Sequence, residues 1–141
     1  MRLELKKRTI SPKNNETKKF TNIIIVYEIV TNQSSLIEKY NEALKNGWID
    51  VFENDGKSSG AYSMGVYGVH PFVLMNYNET QDHVFTLAHE MGHSLHTMYS
   101  EENQPFSTHD YTIFVAEVAS TFNERLLLDY MLEKSTDKHE K

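Results

Sequence analysis

Residues 86–100 read TLAHEMGHSLHTMYS, and this stretch decides how the rest of the chain is interpreted. The apolar residues in and just before it recur at steps of three and four: Val84, Phe85, Leu87, Ala88, Met91, Leu95 and Met98. That period is typical of an amphipathic α-helix, and Asn78 or Thr80 can cap its first turn. The sequence therefore predicts a helix over about residues 80–99, which is long enough to be a core helix.

The same stretch contains His89-Glu90-Met91-Gly92-His93, an HExxH pattern. Four residues advance a helix by about one turn, so both imidazoles project from one face and can bind one zinc ion. Glu90 is rotated by about 100° from His89 and can reach the water that the metal activates. The spacing predicts two metal ligands, His89 and His93, and a general base, Glu90, for peptide hydrolysis. Gly92 is expected to permit close approach of another element.

An HExxH pattern occurs by chance, so a third ligand is needed. A metzincin would supply a His six residues after His93, but position 99 is Tyr and position 96 is His rather than Gly. A glutamate from a second helix is the other common solution. Glu117 is the candidate, because it lies in the apolar stretch 114–120, where an unpaired carboxylate would be costly to bury and a metal would explain the burial.

A second apolar-periodic helix is predicted around Glu117, extending to Met131. Asp110, Glu117 and Glu124 are spaced by seven residues and are expected to share one face of it. Glu124 is then either an outer carboxylate that orients a ligating imidazole or an ordinary surface charge. His96 lies two turns from His89, too far to join the same ion, and is assigned to packing or to substrate contact.

The chain before this helix pair is predicted to contain short elements. Residues 22–30 are rich in Ile and Val and suggest a strand, and a helix opens at Ser34 or Ser35, with Gly47 ending it or Trp48 continuing it. Residues 54–60 form a loop by their Asn, Asp and Gly content. Two strands follow, over about 61–67 and 71–77, and Pro71 favours an edge position or a strand start.

Composition excludes several classes of protein. The 141 residues contain no Cys, which rules out disulfides, iron–sulfur clusters and a thiol nucleophile, so a metal must be held by His and carboxylates. The net charge of −6, with a basic excess confined to residues 1–20, argues against nucleic-acid binding. No apolar run reaches the roughly 18 residues of a membrane span, and Glu28 interrupts the only stretch that resembles a signal peptide. The expected location is cytoplasmic.

The segment 86–100, together with QPFSTHDYTIFVAEVASTFNERLLLDYML at 104–132, resembles the zinc-binding core of the oligoendopeptidase F group, within the thimet-oligopeptidase family of metallopeptidases. The upstream segment GWIDVFENDGKSSGAYSMGVYGVHPFVLMNY at 47–77 resembles the same family, so the resemblance covers about residues 36–137. It implies that His89, His93 and Glu117 bind one Zn²⁺, that Glu90 is the general base, and that short peptides are cleaved in a deep helical channel that excludes folded proteins.

The resulting fold prediction is mainly α with a small antiparallel sheet (α+β), a zincin-type core in which the HExxH helix lies antiparallel to the Glu117 helix. Residues 1–33 are expected to be an unmatched, partly disordered basic start, residues 34–137 a catalytic-core fragment, and residues 138–141 a tail. Family members are several times longer and carry substrate-binding His and Tyr residues downstream of the segment seen here. The alternative function is therefore an inactive, zinc-stabilised remnant.

A strand beside the zinc helix can bind an extended peptide through backbone hydrogen bonds, or it can simply belong to the core sheet. The family resemblance favours residues 59–62 for peptide contact, including Ala61 and Tyr62. No membrane and no nucleic-acid partner is expected, and the oligomeric state is not predicted. Exposed apolar surface on a fragment would lead to self-association.

Overall fold

The computed structural model describes residues 34–78 and 80–134, with side chains over 38–78 and 80–133. In chain order the elements are α1 (Ser34–Asn46), β1 (Ile49–Asp50), β2 (Tyr62–Val66), β3 (Val69–Leu74), α2 (Gln81–Asn103) and α3 (Ile113–Lys134). The mainly helical α+β class is confirmed. The strand predicted over 22–30, the basic start and the tail lie outside the described residues.

Helix α1 ends at Asn46, so Gly47 ends it and Trp48 does not continue it. Gly47 adopts φ +74°, and the N–H of Trp48 donates to the carbonyl of Ala43 at 3.2 Å. This is the Schellman pattern, in which a left-handed glycine reverses the chain after the last helical turn. Tyr40 and Ala43 are buried in the core, so α1 packs one face on the rest of the molecule.

The sheet has the order β1-β3-β2, with β2 antiparallel and β1 parallel to β3. The sheet is therefore mixed rather than wholly antiparallel. The sequence does not predict β1, because a two-residue strand is too short for side-chain alternation to reveal it. Pro71 lies inside the central strand β3 and not at an edge. Its nitrogen points to the same side as that of Val73, which bonds Trp48, but β1 has not yet begun opposite Pro71 and no ladder bond is lost.

The predicted loop over 54–60 is present and is tied down by side chains. The Asn76 Nδ2 donates to the carbonyls of Ser58 and Gly60 at 2.9 and 3.0 Å. The Lys57 ammonium, whose side chain is nearly buried, donates to the Phe52 carbonyl at 2.7 Å and pairs with Asp50. The loop therefore delivers the chain into β2 at a fixed position.

Helices α2 and α3 form an antiparallel pair, in which Ala88 lies beside Asn123 and Gly92 beside Ser120, and α2 also packs on β2 and β3. Thr80 caps α2 by accepting from the N–H of His83, and the helix runs one turn beyond its predicted end. A Cβ built on Gly92 would lie 2.7 Å from the Cα of Ser120. The expectation for Gly92 is confirmed, because only a glycine lets the backbones of α2 and α3 approach this closely.

The core lies between the inner face of the sheet, α1 and the two long helices. Two apolar surfaces remain exposed, the outer face of the sheet and the outer face of the first half of α3. Their large members are Tyr62, Met64, Val66, Phe72, Ile113, Phe114, Val118 and Phe122. Among the helices described, none combines the length and apolar character needed to cross a membrane.

Candidate active site

His89 and His93 lie one turn apart on α2, as the spacing predicts. Their rings are edge to face, with centroids 4.7 Å apart, and their Nε2 atoms are 3.1 Å apart. The Nδ1 atom of His89 is bonded to the Glu124 carboxylate, so its Nε2 is the nitrogen that faces the site. Both imidazoles therefore present Nε2 to the same point in space.

Glu117 approaches that point from α3. Its Oε2 lies 3.4 Å from Nε2 of His89 and its Oε1 lies 3.8 Å from Nε2 of His93. One ligand atom from each of the three residues falls within 4.8 Å of the others. Ligand atoms about 2.0–2.2 Å from a tetrahedral ion are about 3.3–3.6 Å apart, so this donor set fits a single divalent cation with little rearrangement.

The expectation that Glu117 is buried is wrong. Its side chain is 43% exposed, and the apolar residues around it in the chain, Phe114 and Val118, are exposed too. Apolar neighbours in sequence imply burial only where another element covers that helix face. The metal is therefore not needed to explain a buried charge here, and the case for Glu117 rests on its convergence with the two imidazoles.

Glu124 lies one heptad beyond Glu117 on the same side of α3. Its Oε1 is 2.5 Å from Nδ1 of His89, which is the geometry of an outer carboxylate that holds a ligating imidazole in place. Asp110 does not share this face, because α3 begins only at Ile113. The seven-residue spacing is thus meaningful for Glu117 and Glu124 but not for Asp110.

Glu90 is on the neighbouring face of α2 and is only 7% exposed. Burial raises the pKa of its carboxyl group above the usual value, and the adjacent Glu117 raises it further. His89 and the nearby backbone of Ser63 act in the opposite direction and lower this pKa. The pKa of His93 is lowered, chiefly by burial and then by His89, which favours the neutral ring that a metal requires.

His96 does not join the group of possible ligands. Its ring stacks on Tyr111 with centroids 3.9 Å apart, and burial lowers its pKa. The Tyr111 hydroxyl in turn contacts Thr97 Oγ1 at 2.6 Å. Of the two roles considered for His96, packing is the one for which the structure provides a partner.

The remaining histidines of the described chain lie elsewhere. His70 stacks on Trp48, His83 accepts from the N–H of Asn78, and His109 packs on Tyr67. His139 lies outside the described residues. None of the three described rings is among the residues that converge on the site.

Ala61 and Tyr62 lie at the start of β2, an edge strand of the described sheet. Tyr62 is 47% exposed and Ala61 is half-buried. Peptide pairing at this edge stays a prediction.

Sequence reasoning missed three polar residues around the site. Ser63 and Ser94 join β2 to α2 through a 2.8 Å contact between their hydroxyls. Asn123 is buried and donates to the Ala88 carbonyl at 2.5 Å and to the Tyr40 hydroxyl at 3.0 Å. A usable signal existed for Asn123, because Ser120 and Asn123 fall at helical spacing between the apolar Ala116 and Leu127, on the same face of the helix.

Comparison with known proteins adds the evolutionary relationship. The model of Peptidase family M3 matches residues 10–141. The match begins well before residue 36, where the resemblance read from the sequence starts.

Individual relatives agree with the family match. The chain is 50% identical over 100 residues to Oligopeptidase PepF of Bacillus subtilis, which covers 71% of this chain and 15% of that protein. It is 52% identical over 103 residues to an oligoendopeptidase F homologue of Lactococcus lactis, covering 73% of this chain and 17% of the relative. It spans only about a sixth of the length of these curated relatives. The crystal structure of a candidate peptidase from Chlamydophila abortus superposes with a TM-score of 0.82 at 42% identity, covering 88% of this chain and 21% of that one.

Proposed function

This chain belongs to peptidase family M3, and from that premise we propose that it carries the catalytic core of a zinc-dependent endopeptidase acting on short peptides. The observation that carries the proposal is the convergence of His89, His93 and Glu117 beside the buried Glu90. The relatives named oligopeptidase and oligoendopeptidase support short peptides as the substrate class. Residues 34–137 would constitute this core.

The metal site would use two imidazoles and one carboxylate. His89 and His93 would bind through Nε2, Glu117 through its carboxylate, and Glu124 would fix the ring of His89 through Nδ1. Such a donor set suits Zn²⁺, although Co²⁺ and Mn²⁺ occupy similar sites. A divalent cation held there polarises a peptide carbonyl and makes water more acidic.

Glu90 would move the proton. Its carboxylate accepts a proton from the attacking water and delivers it to the nitrogen of the leaving amine. Because burial raises its pKa, Glu90 can keep that proton between the two transfers better than an exposed glutamate can. The 7% exposure of the residue also limits competing exchange with bulk water.

The peptide would lie along the free edge of β2, the side with which no other strand of the described residues pairs. An extended substrate would add a strand there through its main chain, near Ala61 and Tyr62. That geometry accepts many side chains, since main-chain hydrogen bonds do not depend on sequence.

The test combines metal content with turnover. The purified chain is compared with Glu117→Ala, Glu90→Gln and the control Glu133→Ala, which removes an exposed carboxylate at the far end of the same helix. Zinc is measured in each sample, and a quenched fluorescent oligopeptide is used as substrate. We expect one zinc per chain in the wild type and in Glu133→Ala, loss of zinc in Glu117→Ala, and retained zinc without cleavage in Glu90→Gln.

Each contrary outcome has a definite meaning. Zinc without cleavage in the wild type would contradict catalysis by this chain and support the inactive, zinc-stabilised alternative. Zinc retained in Glu117→Ala would remove Glu117 from the ligand set. A wild-type chain without zinc would contradict the metal site itself.

A further inference from the structure

One edge of β2 pairs with no other strand in the described part of the chain, and the register with β3 identifies which backbone groups point to that edge. Tyr62 pairs with Leu74, Ser63 with Val73 and Met64 with Phe72. The N–H of Val73 points to β1, where it bonds the Trp48 carbonyl. Its partner Ser63 is therefore not bonded to β3, and the N–H of Ser63 points away from the sheet, to the free edge.

At that edge Ser63 meets the candidate base. Its backbone N–H faces the Glu90 carboxylate and lowers the pKa of that group. Its hydroxyl is 2.8 Å from that of Ser94, and the Ser94 hydroxyl donates to the Glu90 main-chain carbonyl at 3.0 Å. Since Ser94 has one hydroxyl proton, Ser63 is the donor in the contact between the two hydroxyls.

These contacts connect both the carboxylate and the main-chain carbonyl of Glu90 to Ser63, the first directly and the second through Ser94. The terminal torsion of a glutamate is broad and nearly two-fold, so a buried carboxylate without a donor has no fixed orientation. A donor on one oxygen selects one orientation of the carboxylate. The contact between Ser63 and Ser94 fixes β2 at the position along α2 where the N–H of Ser63 can reach the Glu90 carboxylate.

We propose that Ser63 is a positioning residue for Glu90, acting through its edge N–H on the carboxylate and through its hydroxyl on Ser94. This inference rests on the proposed function, because orientation of Glu90 matters for turnover only if Glu90 transfers the proton. The edge of β2 would then have two adjacent functions, orientation of Glu90 and binding of the peptide. The N–H of Ser63 is taken by the base, so a bound peptide pairs with the part of the edge that precedes Ser63, around Ala61.

The first experiment measures amide hydrogen exchange by NMR in the chain without substrate. An edge amide without an acceptor exchanges freely. A hydrogen bond to a carboxylate must break before exchange, and its free energy slows exchange by about tenfold or more. We expect the Ser63 amide to be protected in the wild type and to lose about tenfold of that protection in Glu90→Ala. The amides of Tyr62 and Met64, which bond to β3, report whether the strand stays intact.

Exchange of the Ser63 amide at the unstructured rate in the wild type would overturn the proposal, whatever the variants do. If Glu90→Ala also exposes Tyr62 and Met64, the isosteric Glu90→Gln replaces it. A neutral amide oxygen is a weaker acceptor, so the protection of Ser63 should then fall by a smaller factor. Unchanged protection in Glu90→Gln and in Glu90→Ala alike would also contradict the proposal.

The second experiment uses proline to delete single edge N–H groups. Ser63→Pro removes the donor to Glu90 and leaves the β2–β3 ladder intact, because proline is tolerated where an N–H faces away from the sheet. We expect kcat to fall about tenfold or more with zinc content and KM nearly unchanged, since proton transfer contributes about 10²–10⁴-fold to rate. Ser63→Ala keeps the N–H and loses only the hydroxyl, so its loss in kcat should be smaller.

Ala61→Pro is the matched control, with a proline on the same edge that leaves the donor to Glu90 in place. It should raise KM and largely spare kcat and zinc. An unchanged kcat in Ser63→Pro would overturn the role of Ser63, whereas an unchanged KM in Ala61→Pro would contradict only peptide binding at the edge. If the zinc-loaded wild type shows no cleavage, the proposed function fails, and the exchange experiment still decides whether Ser63 positions Glu90.

Discussion

The two faces of the first half of α3 are built in opposite ways. The face packed on α2 carries Ser120 and Asn123, both almost fully buried, whereas the outer face carries Ile113, Phe114, Val118 and Phe122, all more than half exposed. A surface helix ordinarily buries its apolar stripe and exposes its polar one. Here the buried face instead contains the groups that hold two backbones close together beside the candidate site.

The difference shows that close helix contact, and not hydropathy, selects what is buried at this interface. Gly92 and Ser120 bring the two backbones together, and Asn123 reaches across to the carbonyl just before His89. Each of these positions favours a small or hydrogen-bonding side chain over a large apolar one. The second half of α3 returns to ordinary behaviour, with Leu126 and Leu127 buried.

The largest effect is expected from a change of charge on the buried face. Asn123→Asp keeps the shape of the side chain but replaces the donor to the Ala88 carbonyl by an oxygen and buries a carboxylate. We expect a loss of about 3 kcal/mol in the free energy of unfolding at neutral pH, measured by urea denaturation.

The pH dependence of Asn123→Asp supplies its control. Burial raises the pKa of the new carboxyl above its unfolded value, so the folded state binds protons more readily and the deficit shrinks as pH falls. The exposed substitution Asn54→Asp should have almost no effect. A loss of similar size in both variants, or a deficit independent of pH, would contradict the role given to Asn123.

A smaller loss is expected when the close approach of the helices is blocked. Gly92→Ala adds a Cβ that would lie 2.7 Å from the Ser120 backbone, so α2 and α3 must separate. The gain of about 1 kcal/mol in helix propensity offsets part of the strain, which leaves a net loss of about 2 kcal/mol by thermal or chemical unfolding. A more stable Gly92→Ala chain would show that the contact between the helices is looser than described.

Glu124, at the edge of the α3 face that packs on α2, should affect metal affinity more than the free energy of unfolding. Glu124→Ala removes the carboxylate that holds Nδ1 of His89. Because Glu124 is about one-third exposed, we expect an effect near the lower end of the usual range, a loss of about tenfold in zinc affinity by competition with a chelator. Asp129→Ala, an exposed carboxylate on the same helix, is the control, and equal affinities in the two variants would make Glu124 a mere surface charge.

The smallest effect on stability belongs to the outer face. Phe114→Ser combined with Phe122→Ser should change the free energy of unfolding by less than about 0.5 kcal/mol, because both side chains are already exposed. The same pair should reduce any self-association seen by sedimentation, since it removes much of the exposed apolar patch. A large loss of stability would show that this face is covered in solution.

The helices and the ligand pairing were predictable because they depend on local periodicity. Apolar spacing predicted α2 and α3, and the four-residue step predicted that His89 and His93 share a face. The mixed sheet and the exposure of Glu117 were not predictable, since both depend on which element lies opposite. Ser63 was missed for the same reason: the role proposed for it depends on the register of β2 with β3 and on the position of Glu90, neither of which leaves a local pattern.

The three candidate ligands come from two helices, His89 and His93 from α2 and Glu117 from α3. A cation bound there would cross-link the helices, so that metal binding and helix packing become one equilibrium. With free metal well above its Kd, each tenfold increase in concentration would add about 1.4 kcal/mol to the free energy of unfolding. The midpoint of thermal unfolding would then serve as a gauge of free zinc, and a chelator would act on this chain as a denaturant does.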